Sequence, residues 1–418
     1  MPIQRICVRN YKSFAEIDIL LNRFNVVIGS NAAGKSNFIS VFRFLRDISR
    51  HGLDNAIAMQ GGAEYIRNAQ IGEKRDLEIS VWFTPENGAT THGVPPGRIG
   101  PVCVRPTGSV YHLALRFDKE GDGYSIAKDQ MVTSWVATWY GEGSSDNSRE
   151  IHGEIRVIHE GGEVKFDAVV PEGCPFPGEE LIPPFSHGRL LAETNLLLET
   201  SYAIPLPAMD RFFDRIAVYD IDPKLPKQGV VVTGKRNLEE DGRNLALVVK
   251  SIVGDPDKRR KFTNLLRDIL PFIEDFSVRK FMDISVILTM REKYAKSRDL
   301  PASSLSDGTI TIFALIIALY FEDRPFMVIE EPTSHIHPFL VSRVIAIMKE
   351  AAEKNQVLIT THSTEVVKHA RIDDILLISR DSGGFSIISR PADAAEVKTF
   401  LENEIGIEDL YVQNLLGI

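Results

Sequence analysis

The segment Gly29-Ser30-Asn31-Ala32-Ala33-Gly34-Lys35-Ser36 constrains this chain more than any other. It matches G-x-x-x-x-G-K-[ST], a pattern that works only between a strand and a helix. Both flanks are present. Arg23-Phe24-Asn25-Val26-Val27-Ile28 is a short apolar run ending at Gly29, and beyond Ser36 the residues Phe38, Val41, Phe42, Leu45 and Ile48 recur at helical spacing. In such a loop the glycines let backbone N–H groups wrap phosphate oxygens, and the helix N-terminus adds partial positive charge. Lys35 is then the point charge for the β and γ phosphates, and Ser36 offers an oxygen to Mg²⁺. Gly29, Asn31, Gly34, Lys35 and Ser36 are therefore the candidate nucleotide contacts.

The rest of the chain alternates between two kinds of pattern. Ile3 to Val8 reads as a strand before a turn at Asn10 to Ser13. From about Leu77 to Val170, alternating runs such as Leu77 to Phe83, Tyr111 to Phe117 and Val164 to Val169 predict an antiparallel β lobe. Residues 171–190 are rich in proline and glycine and read as a connection, followed by helices at Leu190 to Leu198 and Asn244 to Ile252. The last third predicts helices at Thr309 to Tyr320 and Phe339 to Lys354, and strands at Phe326 to Ile329, Val357 to Thr361 and Ile375 to Ser379. Strands alternating with such helices imply a mostly parallel sheet covered on both faces, which the phosphate-loop strand would join. The expected class is α/β, a mixed and mainly parallel sheet with flanking helices, plus the antiparallel lobe and a helical insertion. Its expected divisions are 1–75 and 300–418 for the two parts of the nucleotide-binding head, with 76–299 between them. No heptads persist, so a long coiled-coil arm is not expected.

Three further segments carry chemistry. Phe326 to Ile329 runs into Glu330 and Glu331 before Pro332 stops it. Beside a phosphate loop, the first carboxylate holds the magnesium shell and the second polarises the water that attacks the γ-phosphate. Val357 to Thr361 runs into His362, whose imidazole at a parallel strand end would face the ligand crevice and contact the γ-phosphate. His335 and His337 open an alternative, a three-histidine metal site with His362. Leu305-Ser306-Asp307-Gly308-Thr309 precedes an apolar helix. Ser306 and Gly308 there offer either a simple N-cap or a second anion site suited to a partner's nucleotide.

Charge and composition narrow the classes. The formal charge of −9 argues against coating nucleic acid by bulk electrostatics, although Lys235 to Arg298 holds 15 basic and 10 acidic residues. Its densest cluster, Lys258-Arg259-Arg260-Lys261, reads as a solvated helix face or a DNA contact. Cys7, Cys103 and Cys174 lie far apart, with no C-x-x-C pair to suggest zinc and no even set to suggest a disulfide frame. The longest apolar run, Ile312 to Phe321, is about half the ~20 residues of a membrane span. The start, MPIQRICVRNYKSF, is charged where a signal peptide needs its apolar core, so a cytoplasmic protein is expected.

Together GSNAAGKS, LSDGT, IEEP and THS stand in an order that resembles ABC-type ATPase heads, specifically the RecF/OLD/SMC-like group. NYKSF, GKSN, IEEPTSHIHP, TTHS and EEDGRNLA are similar to soluble AAA-family ATPases of that group. The resemblance implies a P-loop NTPase of ABC type that binds ATP and Mg²⁺, hydrolyses ATP, and dimerises head to head. Asn37, Lys12 and Ser13 would then join the ATP contacts. Ser306, Asp307 and Gly308 would reach ATP on the opposite subunit, Glu331 and His362 would be catalytic, and Ser36 and Glu330 would serve the metal, with Gln70 as Q-loop candidate. An effector protein or DNA would be the partner, in genome maintenance or antiphage defence, without a membrane. A nucleotide-stabilised scaffold of negligible turnover and a transporter motor are the competing classes. Glu330 stands where many ABC proteins carry Asp, Thr333 where OLD-like relatives often carry an acid, and no appended nuclease domain is expected.

Overall fold

The computed structural model describes residues 2–84, 92–93, 102–118, 123–140, 148–172, 174, 177–178, 189–200, 212–232, 235, 237–281, 284–295, 298–402, 406–413 and 415–416. Most of the 171–190 connection lies outside them. The chain forms two compact units, one from Met1–Leu21, Ser36–Ile216 and Arg380–Ile388, the other from Asn22–Lys35, Ala217–Ser379 and Ser389–Ile418.

The first unit is antiparallel. Its sheet runs Arg189–Leu190, Glu163–Val169, Ser148–Glu160, Tyr124–Tyr140, Val102–Phe117, Leu77–Phe83, Ile3–Tyr11, Phe14–Leu20. Alternation decides its faces: in Leu77–Phe83 every second residue is buried. On the wet face Arg9 bridges strands, reaching Glu16 at 2.8 Å and Glu78 at 3.0 Å. On the dry face lies the helix Lys35–His51, which buries Phe38, Phe42, Phe44 and Leu45. Phe14 meets Phe38 edge-on at 6.4 Å, and the Tyr11 hydroxyl donates to the Ser40 carbonyl at 3.0 Å.

A charged group is buried in this apolar setting. Asp129, 1% exposed, accepts from the Tyr111 hydroxyl at 2.9 Å and the Leu197 N–H at 2.7 Å, and lies 3.3 Å from His159 Nδ1. His159 Nε2 faces the Leu191 carbonyl at 3.2 Å. Both ring nitrogens thus face acceptors, which suits an imidazolium, and Asp129 raises the His159 pKa accordingly. This network explains why the expected helix at Leu190 to Leu198 is instead a short strand and a single turn at Leu197–Glu199. Asp129 takes the Leu197 N–H and Glu199 takes those of Leu196 and Leu53, at 2.9 and 3.2 Å, so the backbone is held by carboxylates.

The second unit holds the parallel sheet, in the order Ala217–Tyr219, Phe326–Glu330, Gln356–Thr360, Phe24–Ile28, Ile375–Arg380. Phe24–Ile28 and Gln356–Thr360 are buried along their whole length, as a sheet covered on both faces requires. The helix Asp307–Tyr320 is buried from Gly308 to Leu319, and Pro338–Lys354 buries Val341, Val344, Ile345 and Met348. The helical insertion is Leu245–Val253 and Pro256–Ile269, packed with a small antiparallel sheet built on Ile273–Phe281 and Ser285–Glu292. Asp255 caps the second helix by accepting from the Asp257 and Lys258 N–H groups, and Phe262 joins it to Phe276 and Phe313 at 5.0 and 5.5 Å. The α/β architecture with an antiparallel lobe and a helical insertion is therefore as the sequence predicts. No helix of the described residues is long and apolar enough to cross a membrane.

Candidate active site

Parallel pairing brings the chemistry to one end of the second unit. Phe24–Ile28 lies between Gln356–Thr360 and Ile375–Arg380, with Phe326–Glu330 one strand further, so Gly29, Glu331 and His362 all follow the carboxyl ends of parallel strands. Ligands of open α/β sheets bind at that end.

The phosphate loop begins at the only residue type its space admits. Gly29 has φ +155°, and a Cβ there would stand 2.3 Å from the Ile378 carbonyl oxygen. Ala32 adopts φ +61°, and Ala33 N–H closes a turn on the Ser30 carbonyl at 3.2 Å. The Lys35 ammonium donates to the Gly29 and Ser30 carbonyls at 2.7 and 3.1 Å. Burial pulls its pKa down from the usual lysine value, while the Glu331 carboxylate acts in the opposite sense. Lys35 and Glu331 therefore share one electrostatic environment. Asn31 is exposed, and Ser36 follows Lys35 as an exposed residue of the helix that begins there.

Glu330 pairs in register with Thr360, and Glu331 N–H donates to the Thr360 carbonyl at 3.0 Å. Glu331 then turns to φ +43° and its Oε1 sits 2.8 Å from His362 Nδ1. The side chain of His362 is 65% exposed against 29% for Glu331, so the imidazole faces outward while the carboxylate is drawn in. Backbone strain is concentrated here. Among the described residues the non-glycines with positive φ are Asn10, Lys12, Ala32, Glu331 and His335, all within the motif segments. Each costs about 1 kcal/mol or more, the kind of cost that functional sites carry.

Ser306 caps the helix Asp307–Tyr320 by accepting from the Thr309 N–H at 3.1 Å. Gly308 lies against the His335 backbone, where a Cβ would stand 2.5 Å from the carbonyl oxygen. Asp307 is paired with Lys227 at 2.5 Å, which lowers its carboxyl pKa. Lys227 carries no motif, and the sequence did not single it out. The three-histidine alternative fails: among the described residues no such ligand group assembles, and His337 Nδ1 instead accepts from the Phe339 N–H at 3.3 Å.

Ser13, Asn37, Lys12 and Gln70 belong to the first unit. Ser13 Oγ is held by the Asn37 amide and by Ser386 Oγ, both at 2.8 Å, so Asn37 is committed to positioning Ser13. Lys12 donates to the Gln60 side chain at 2.7 Å and burial lowers its pKa. Gln70 donates to the Gly383 carbonyl at 3.3 Å. Each basic residue of the insertion cluster has an intrachain partner: Arg259 with Asp275 at 2.8 Å, Arg260 with Asp257 at 3.0 Å, Lys258 with Asp255 at 3.9 Å, and Lys261 over the Tyr320 and Phe321 rings. That is the pattern of a solvated helix face.

Residues 195–368 match a family model described as "AAA domain, putative AbiEii toxin, Type IV TA system", and residues 1–151 match one described as "AAA ATPase domain". No curated protein matches the chain in sequence. Similar solved structures include an SmcHead bound to the C-winged helix domain of ScpA, at 14% identity and TM-score 0.47, covering 93% of this chain and 98% of that one. The SMC head domain from Thermotoga maritima aligns at 13% identity and TM-score 0.40, covering 93% and 99%. An Smc head domain from Pyrococcus furiosus, bound to the C-terminal domain of ScpA, aligns at 12% identity and TM-score 0.45, covering 96% and 99%.

Proposed function

We propose that this chain, an ABC-type ATPase of the SMC/RecF-like group by its two family matches and the order of its motifs, binds Mg-ATP, closes head to head on it, and reopens on hydrolysis. The observation that carries this reading is the 2.8 Å contact of Glu331 with His362, beside a lysine that feels the same carboxylate.

Lys35 would leave the loop carbonyls for the β and γ phosphates, a shift within reach of its flexible stem. Glu331 polarises a water whose oxygen attacks the γ-phosphorus as the bond to the β–γ bridging oxygen breaks, and the water's proton passes toward the carboxylate. His362, with Nδ1 directed at Glu331, keeps Nε2 for the γ-phosphate, so the two groups act as a unit. The hydroxyl of Ser36 and the carboxylate of Glu330 are hard oxygen donors that fit magnesium, an ion held by few protein ligands plus phosphate and water. When bound, magnesium supplies charge neutralisation on the phosphates. Gln70 is a third, weaker candidate for that shell.

Ser306, Asp307 and Gly308 would close the partner's triphosphate, adding contacts that exist only in the closed pair and so shifting its population. The object of the switch is an effector protein or DNA. The matched charges around Lys258 to Lys261 favour the protein. The test is Glu331→Gln: hydrolysis should fall by about a hundredfold or more, and Mg-ATP should hold the variant as a dimer in size-exclusion chromatography. An unchanged rate, or a variant that stays monomeric with ATP, would overturn the reading. A rate raised by duplex DNA would assign the switch to nucleic acid instead.

A further inference from the structure

The small antiparallel sheet of the second unit ends on a strand with one side unpaired. Ser285–Glu292 takes Ile273–Phe281 along its whole length on one side, and Val230–Val231 and Leu300–Pro301 also pair with it. Among the described residues Ile273–Phe281 pairs with no second strand. A register shift interrupts it between Ile273 and Asp275, where Arg267 donates to the Ile273 and Glu274 carbonyls. Beyond that point the strand runs outward: Arg279 and Lys280 are exposed, and Phe281 shows 41% of its surface. An unpaired edge of this kind is a template for another strand.

The edge is complementary to itself. Glu274-Asp275-Phe276-Ser277-Val278-Arg279-Lys280 runs from two acids through an apolar residue, a serine and an apolar residue to two bases. We propose that this edge pairs antiparallel with the same edge of a second copy, about a two-fold axis at Ser277. Phe276 then stands opposite Val278 of the second copy, Asp275 opposite its Arg279 and Glu274 opposite its Lys280, and symmetry repeats each pair. Matched cross-strand pairs are what stabilise a sheet. A parallel pairing in the same register would set acids on acids and bases on bases, and a slip of one residue would set Asp275 opposite Val278 or Arg279 opposite Phe276. The intrachain ion pairs leave the match accessible: Asp275 and its partner Arg259 are each 41% exposed, Arg279 shares Asp299 with Arg291, and Glu274 and Lys280 join no ion pair among the described residues. An edge this short falls below the ~1,200 Å² that stable interfaces bury, so the contact is weak and concentration-dependent. It needs no nucleotide and does not depend on the ATPase reading. Its effect is to raise the local concentration of heads available to close.

The test uses full-length protein without nucleotide. Wild type should sediment as a monomer at low micromolar concentration and move toward a dimer as concentration rises. Ser277→Lys, which sets two ammonium groups directly opposite each other, should weaken that association by about tenfold or more while the unfolding midpoint stays at the wild-type value. Under mild oxidation Ser277→Cys should form a reducible covalent dimer well above the wild-type background, since directly opposed residues have Cβ atoms about 5 Å apart. Lys280→Cys should not, because the two thiols would lie about 20 Å apart along the strands. Cross-linking of Ser277→Cys no faster than wild type, or equal cross-linking of Lys280→Cys, overturns the proposal. So does a Ser277→Lys chain that associates as wild type does. A wild type that stays monomeric at every concentration overturns it too and leaves the edge to a strand of another protein. With no nucleotide present, none of these results bears on the ATPase reading.

Discussion

The two units solve the same burial problem with opposite strand directions, and the consequences differ. In the parallel sheet all carboxyl ends lie on one side, so side chains from segments far apart in sequence, Gly29, Glu331 and His362, collect there. Its central strands Phe24–Ile28 and Gln356–Thr360 are buried along their whole length, and the candidate groups stand just past their carboxyl ends. In the antiparallel sheet the ends alternate and the faces divide between wet and dry. Its polar groups accordingly appear as cross-strand pairs on the surface, such as Arg9 with Glu16 and Glu78, or as one enclosed network around Asp129. Strand direction thus separates the place where chemistry can gather from the place where charge serves architecture.

That separation can be broken by experiment. The largest expected effect belongs to Glu331→Gln, which should abolish most turnover while the unfolding midpoint stays put, since the residue lies at a strand end with its side chain partly in water. Next comes Asp129→Ala in the antiparallel unit, which strands the Tyr111 hydroxyl, the Leu197 N–H and the His159 imidazolium together. Denaturant unfolding should show a loss of about 3–5 kcal/mol, with kcat per folded molecule unaffected. If turnover collapsed as well, the two regions would not be independent. Ser306→Ala sits between these extremes: loss of the cap should cost about 1 kcal/mol of stability, and the variant should also dimerise poorly with Mg-ATP.

The smallest effect is a pH dependence. His159 is held above its ordinary pKa by Asp129, so the folded state binds that proton more tightly than the unfolded chain. Its contribution is complete below the unfolded value near 6.5 and fades as pH rises through the higher folded value. Wild type should therefore lose stability on going from pH 6 to pH 8, and His159→Gln should flatten that part of the curve. A steeper decline in the variant would place the titrating group elsewhere.

How much of this was legible beforehand follows from where each signal resides. The phosphate loop was legible because its glycines, lysine and flanking patterns are local, and Gly29 is demanded by one carbonyl of a neighbouring strand. The Glu330-Glu331 and His362 strand ends were legible for the same reason. The helix expected at Leu190 to Leu198 failed because carboxylates distant in sequence, Asp129 above all, claim the backbone donors of that segment. Lys227 at Asp307 was invisible, since a lone lysine carries no pattern of its own.

The order of residues by itself determined the strand–loop–helix unit, the alternation that divides the antiparallel faces, and the two acidic and imidazole strand ends, because each depends on interactions within a few positions of the chain. The tertiary structure alone decided that Glu331 meets His362 and that Lys227 pairs with Asp307. Those are contacts between segments tens of residues apart, and only the packing of the sheet and its covering helices sets their distances.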